Sequence, residues 1–305
     1  MHGMPQERIR LLYPLLGPFV LLWILFWLVP LGWGFELSLQ DSSHGFSNSV
    51  EHQVQYVGFD NFERTLNDPK FQKALINSLK YVVGSVICIV PLGFLLAVAL
   101  FDLPRFARGV ITFMLLIPGL ALPGAMSKLF YLFFHGREGA LNQYLVIPLG
   151  LDPINWMMDP DFIMPSLVMQ AVWRWTGVVS LFFLCGLEAI PRWQFELAKL
   201  EGFKNGAKFR MILIPGVRKL AIFVSVFLIV DGVAAFSGAY TLLGGSGGML
   251  DAGLLLVTYV YQVAFPGGSG RFDLPGAAAM SLLVAPLVAG LLFLMLKSRS
   301  LFLQS

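Results

Sequence analysis

The chain alternates long apolar stretches with shorter polar ones. Six apolar runs stand at 11–35, 75–101, 109–134, 162–187, 217–243 and 275–296. Each supplies the roughly 20 apolar residues that a helix needs to cross a bilayer. In lipid the backbone must satisfy its own hydrogen bonds, so these runs predict helices rather than separate strands. Arg8 and Arg10 give the first run a signal-peptide-like start. It outlasts the roughly 7–15 apolar residues of a signal core and ends in Pro30, Trp33 and Phe35, which predicts a retained helix. The pattern describes an all-α integral membrane protein, one domain over 1–305 with six transmembrane helices. Polar segments at 36–74 and 135–161 fall on one side of the membrane and a polar loop at 188–216 on the other.

Composition agrees. Of 305 residues, 57% are hydrophobic and 13% charged, and mean hydropathy is +0.74, whereas a soluble domain carries about a quarter charged residues. So much apolar mass excludes a disordered chain. Cys88 and Cys185 both lie inside apolar runs, which excludes a disulfide framework. With the N-terminus inside, 13 of the 21 Lys and Arg fall on the inner side. Five fall outside (Arg64, Lys70, Lys73, Arg137 and Arg271) and three within the runs (Lys80, Lys128 and Arg174). Lys and Arg collect on the cytoplasmic side, so both termini of a multi-pass protein are expected in the cytoplasm. The net charge of +3 is sorted by membrane side rather than gathered on one face, so no nucleic-acid partner is expected.

Catalytic signals are missing. No P-loop pattern occurs, and Gly244-Gly245-Ser246-Gly247-Gly248 has no Lys-Ser/Thr after it, so it predicts a flexible external turn. No paired Cys-x-x-Cys or H-E-x-x-H signals zinc, and His2, His44, His52 and His135 lie in a terminus or in polar segments. The runs hold one aspartate, Asp231, and no histidine, too little for an intramembrane hydrolase. The chain reads as a non-enzyme without a cofactor of its own.

The loop at 188–216 carries the strongest local signal. Phe195, Ala198, Leu200 and Phe203 give a short helix an apolar stripe, with Glu196, Lys199 and Lys204 on the wet side. Gly202 is placed to end that helix in a left-handed conformation. A second short helix is expected to run toward Pro215 and turn into the fifth span. Amphipathicity alone fits an ordinary connector lying at the headgroups.

The residue types go further. Glu196-Leu197-Ala198, then Gly202, then Ile212-Leu213-Ile214-Pro215 resemble the Glu-Ala-Ala, Gly and Ile-x-Leu-Pro signature of binding-protein-dependent ABC importer permeases of type I. Tyr56-Val57-Gly58-Phe59-Asp60-Asn61-Phe62 is similar to the segment before span two in the carbohydrate (maltose and glycerol-3-phosphate) branch. Gly139 to Leu145 resembles its Gly-x-x-Asn-x-x-Leu, Val172-Trp173-Arg174 its Val-Trp-Lys/Arg, and Gly186-Leu187 with Ile190-Pro191 its Gly-Leu-x-x-Ile-Pro. The chain departs at Leu197, where Ala is usual, at Glu201-Gly202-Phe203, which replaces Asp-Gly-Ala, and at Gly244-Gly245-Ser246, where Gly-Gly-Pro is common.

The resemblance implies a subunit forming half of a translocation path in a bacterial-type plasma (inner) membrane and driven by partners. These are a second homologous permease, two ATPase subunits carrying ATP and Mg, and an extracytoplasmic solute-binding protein. It makes Glu196, Ala198, Glu201, Gly202, Phe203, Gly206 and Pro215 the ATPase-coupling residues. The branch implies a carbohydrate. Glycerol phosphate or a polyol leaves the motifs unchanged, and an ATPase-independent channel makes the 196–215 segment accidental.

Polar residues inside the membrane are costly and are functional candidates by default. Arg174 and Asp231 both come near mid-depth at about 1.5 Å of rise per residue, and either pair with each other or face the path. Trp173, Trp175 and Tyr240 are candidates to stack on sugar faces, with interfacial anchoring as the alternative.

Overall fold

Helices stand at all six apolar runs. This computed structural model describes residues 16–41, 55–265 and 272–303. In chain order the helices are α1 (Leu16–Ser38), α2 (Asp60–Leu66), α3 (Pro69–Phe101), α4 (Arg105–Leu120), α5 (Pro123–Phe133), α6 (Pro160–Glu188), α7 (Arg192–Leu200), α8 (Asn205–Val233), α9 (Ser237–Leu242), α10 (Leu256–Ala264) and α11 (Leu274–Leu303). Among the described residues β pairing is limited to one isolated bridge, Gln40 with Tyr56. His2, residues 11–15 of the first run, Ser42, Ser43, His44, His52, Gly267, Gly268, Gly270 and Arg271 lie outside the described residues.

Helices α1, α3, α6 and α8 are each continuous and apolar enough to cross a membrane. The third run is not one helix. It breaks between α4 and α5, which meet at 98°. Pro123 forces this, because a residue before proline is pushed out of the α region, and Leu122 is extended at φ −62°, ψ 125°. The fifth run breaks as well. Helix α8 stops at Val233, Phe236 leaves the helical region at φ −136°, ψ −69°, and α9 resumes at Ser237. Beside this second break α9 is tied to α5, where the Ser127 hydroxyl shares its proton between Pro123 O at 2.9 Å and Gly238 O at 3.0 Å.

Pro215, by contrast, breaks nothing. As α8, the second helix of the loop begins at Asn205 and runs into the fifth span through Pro215. A five-residue π turn, Phe209–Leu213, ends two residues before it. The same spacing recurs at Ile24–Leu28 before Pro30 and at Asn142–Val146 before Pro148. Proline has no N–H to give and crowds the carbonyl four residues back. A widened turn just upstream takes up both defects.

The described residues group into two compact units, Pro69–Tyr259 with those from Pro286 on, and those up to Asp68 with Val260–Ala285. In the first, α3 and α6 pack along their lengths. Ile89, Ala97, Leu100, Val179, Phe183 and Leu187 form its core with Ile212, Val217, Val224 and Leu228 of α8. Backbones approach closely at Gly177, where an added Cβ would lie 1.8 Å from Leu115 O. A second cluster joins Phe134, Val146, Trp156, Ile163, Leu167, Leu242 and Leu255. Helix α6 starts cleanly, with Asp159 Oδ1 accepting from Asp161 N at 3.0 Å, Pro160 in the first turn, and Asp161 complementing the helix dipole. In the other unit the Asn61 amide donates to Ser38 O at 2.8 Å and Gln40 O at 2.7 Å, tying α2 to the end of α1. There the Tyr56 hydroxyl donates to Glu36 Oε1 at 3.2 Å, which pushes the Tyr56 phenol upward.

Candidate functional site: an exposed end helix and a cavity at two helix breaks

Helix α7 is closed as the sequence predicts. Gly202 sits at φ +73°, its N–H donates to Lys199 O at 3.1 Å, and the Phe203 N–H reaches back to Ala198 O at 2.8 Å. These two bonds satisfy the last carbonyls of the helix, and only a residue without Cβ takes that conformation cheaply. Ala198 is buried, and Phe195 and Phe203 pack on the main core. Phe195 stacks on Phe101 at 5.9 Å and Phe209 lies 5.4 Å from Phe94, so both sides of the loop are tied to α3. Arg108 pairs with Glu188 at 2.8 Å, fixing the start of α4 to the end of α6 just before the loop.

Leu200 does not join the stripe expected for it. It is 86% exposed, because it lies two residues, about 200° of helix, past Ala198. It continues instead a second apolar line through Trp193 and Leu197, both exposed. Glu196, Glu201 and Gly206 are exposed around this line, as is Pro215 farther on. Trp193, Leu197 and Leu200 thus form an exposed apolar strip on a helix anchored from its other side.

The second site is a cavity of about 150 Å³ lined by Trp173, Arg174 and Trp175 of α6, Asp231 of α8, and residues at both helix breaks, Pro123, Met126 and 234–239. Irregular backbone at membrane depth survives where it is buried in protein or lines a wet space. Arg174 stacks on Trp175, its Cζ 4.8 Å from the ring centre, and its Nε is buried without a hydrogen-bond partner. Asp231 faces the Arg174 charge and the Trp175 indole. Tyr81 and Gln170 complete the polar lining, with the Gln170 amide donating to Ser127 Oγ at 2.8 Å. Tyr240 is not part of this lining. Its ring packs on Phe236, 5.0 Å away, and beneath Gly245.

The segment 244–256 at the other end is a packed turn and not the flexible one expected. Gly244, Gly245, Gly247 and Gly248 all have φ between +61° and +80°. A Cβ on Gly247 would meet Leu254 at 2.9 Å. Leu250 and Asp251 are left-handed too, at φ 53° and 54°. Helix α3 holds the segment through the Asn77 amide to Asp251 O at 2.9 Å and Leu254 O at 3.2 Å, and through Lys70 to the Asp251 carboxylate at 3.5 Å. The Gly139–Leu145 motif has a physical role here. Its Asn142 is fully buried, donates to Gly136 O at 2.6 Å and Ile154 O at 2.9 Å, and accepts from the Trp156 indole at 3.0 Å.

The helices thus break around a polar pocket, and an anchored helix holds an apolar strip out beyond them. Residues 89–298 match the family described as binding-protein-dependent transport system inner membrane component, and the chain belongs to that family. It is 32% identical over 285 residues to the arabinooligosaccharides transport system permease protein AraP of Bacillus subtilis, covering 93% of this chain and 87% of AraP. It is 29% identical to the lactose transport system permease protein LacF of Rhizobium radiobacter, over 79% of this chain and 80% of LacF. A chain in the crystal structure of a bacterial importer of the acidic polysaccharide alginate has the same fold, with TM-score 0.78, 96% of each chain covered and 20% identity. The protein is therefore a multi-pass inner-membrane permease subunit of the type I ABC importer fold. It is not an enzyme, and ATP hydrolysis belongs to separate subunits.

Proposed function

We propose that this chain forms half of the membrane path of an ATP-driven carbohydrate importer. It crosses the inner membrane six times as one permease domain, with both termini in the cytoplasm. A second homologous permease supplies the other half, two ATPase subunits bind ATP and Mg, and an extracytoplasmic solute-binding protein delivers the sugar. The observation that carries the reading is α7 itself, tied to the bundle through Phe195, Ala198 and Phe203 while it holds out Trp193, Leu197 and Leu200. A helix anchored in this way moves with its bundle when an ATPase grips the exposed strip. Nucleotide-driven closure then biases a two-state bundle without chemistry in this chain. Glu196, Glu201, Gly206 and Pro215 belong to the same coupling segment. The cavity at the helix breaks supports a sugar path, because irregular backbone at membrane depth is tolerated where it lines a wet cavity, and secondary transporters bind their cargo at such breaks. The names of AraP and LacF support a carbohydrate as cargo.

The test is uptake into proteoliposomes holding the whole complex and its binding protein, with arabinotriose, lactose and glycerol 3-phosphate as probes. Uptake of a sugar that depends on enclosed ATP is the expected result. Sugar uptake without ATP would favour a channel, and uptake of glycerol 3-phosphate alone would move the cargo to another class.

A further inference from the structure

The cavity at the helix breaks has a property that the carbohydrate reading does not require. Its charged lining residues are one of each sign, Arg174 and Asp231, and every other lining residue is neutral. Among the described residues the two form no direct ion pair, although each lies in the other's field and the Asp231 carboxylate also meets the Trp175 indole. The guanidinium is fixed in place by its stack on Trp175 and keeps a buried Nε–H with nothing to donate to. A cavity of this volume holds about one six-membered ring.

We infer that this cavity takes one uncharged sugar ring at a time and discriminates against acidic and amino sugars. The inference rests on the carbohydrate reading above and adds the charge class of the cargo. A sugar hydroxyl both donates and accepts. A ring between the two side chains donates to the Asp231 carboxylate and accepts from the Arg174 guanidinium, while the Gln170 amide offers both functions. The half-exposed Trp173, set edge-on against Phe130 at 5.3 Å, supplies an aromatic face for the C–H side of the ring. A neutral ring leaves the site electrically balanced. A uronate adds a second negative charge beside Asp231 with one guanidinium to share, and an amino sugar adds a second cation beside Arg174. Either leaves an uncompensated charge where water is scarce, which is the costly case.

The experiment uses the purified whole importer in nanodiscs, without its binding protein. Saturation-transfer NMR reads D-galactose and L-arabinose against D-galacturonate and D-galactosamine at equal concentration. The neutral sugars should take up saturation about tenfold more strongly than the charged ones. Asp231→Asn should raise the galacturonate-to-galactose ratio by about tenfold, and Arg174→Gln should do the same for galactosamine. Gln170→Glu leaves both charges in place and should also favour galactosamine, so the inference stays open to test if either charge variant fails to fold. Equal binding of charged and neutral probes by the wild type, or ratios that no variant moves, overturns it. Sugar uptake through the binding protein is measured on the same preparation. Uptake with no probe binding in the cavity overturns the inference alone, whereas absence of any sugar uptake removes it together with the carbohydrate reading.

Discussion

The α7 loop and the cavity are built in opposite ways. The loop's shape is local: a helix and its closing glycine fall within a short stretch, the hydrogen bonds that shape it join neighbours in sequence, and only its packing on Phe94 and Phe101 reaches across the fold. The cavity is assembled from α3, α5, α6, α8 and α9, and its lining depends on where two helices stop. A local device can be handled as a rigid part by a partner. A composite one changes shape whenever the helices around it shift, which suits a chamber that must open and close. The contrast explains why the same bundle offers a hard handle at one end and an irregular interior.

The strongest way to break this contrast is to attack what both regions stand on. Gly177→Val places side-chain carbon against the Leu115 carbonyl, and the helices must part. No monodisperse complex should be recovered on size exclusion, and a normal yield would show that the α4–α6 contact is dispensable. A smaller effect, confined to one region, is expected from Ala198→Glu. It puts a charge under α7 at a buried position. The complex should assemble and keep its ligand behaviour in the cavity, while ATP hydrolysis loses its response to loaded binding protein. Loss of cavity binding together with coupling would show that the two regions are not separable. The smallest effect comes from Asn142→Ala, which orphans Gly136 O, Ile154 O and the Trp156 indole. The cost is about 1–3 kcal/mol, read as a lowered unfolding temperature with ATPase stimulation retained.

The two regions also differ in how far the sequence discloses them. Gly202 and Ala198 are legible because their roles follow from helix spacing and a single backbone conformation. Leu200 is misplaced by the same logic applied one step too loosely, since a stripe tolerates three or four residues of separation and not two. The continuation through Pro215 into the fifth span is legible, whereas the π turn that accommodates the proline leaves no mark in residue type. In the cavity, Arg174 and Asp231 announce themselves as charges in apolar runs. Gln170 lies one turn before Arg174 on the same face and was open to discovery. Tyr81, Ser127 and Ser237 were not, because neutral polar residues within a helix give no signal of what they face. The break after Leu120 is written in Pro123, whereas the break after Val233 carries no proline, and the helix beyond it is tied by a hydroxyl from a helix distant in sequence.

The π turn at Phe209–Leu213 has a consequence for timing around the helix axis. A π turn is an α-helix carrying one residue more than its pitch needs, and each residue is worth about 100° of rotation. Upstream of it lies the loop that α7 belongs to, and downstream on the same continuous helix lies Asp231. The extra residue therefore sets the phase between the two: with it, Ile212 and Val217 turn toward the core together with Val224 and Leu228, and Asp231 faces the cavity. Removing one residue from this turn would leave a well-bonded helix and a complete loop, joined out of register, with the carboxylate rotated away from Arg174.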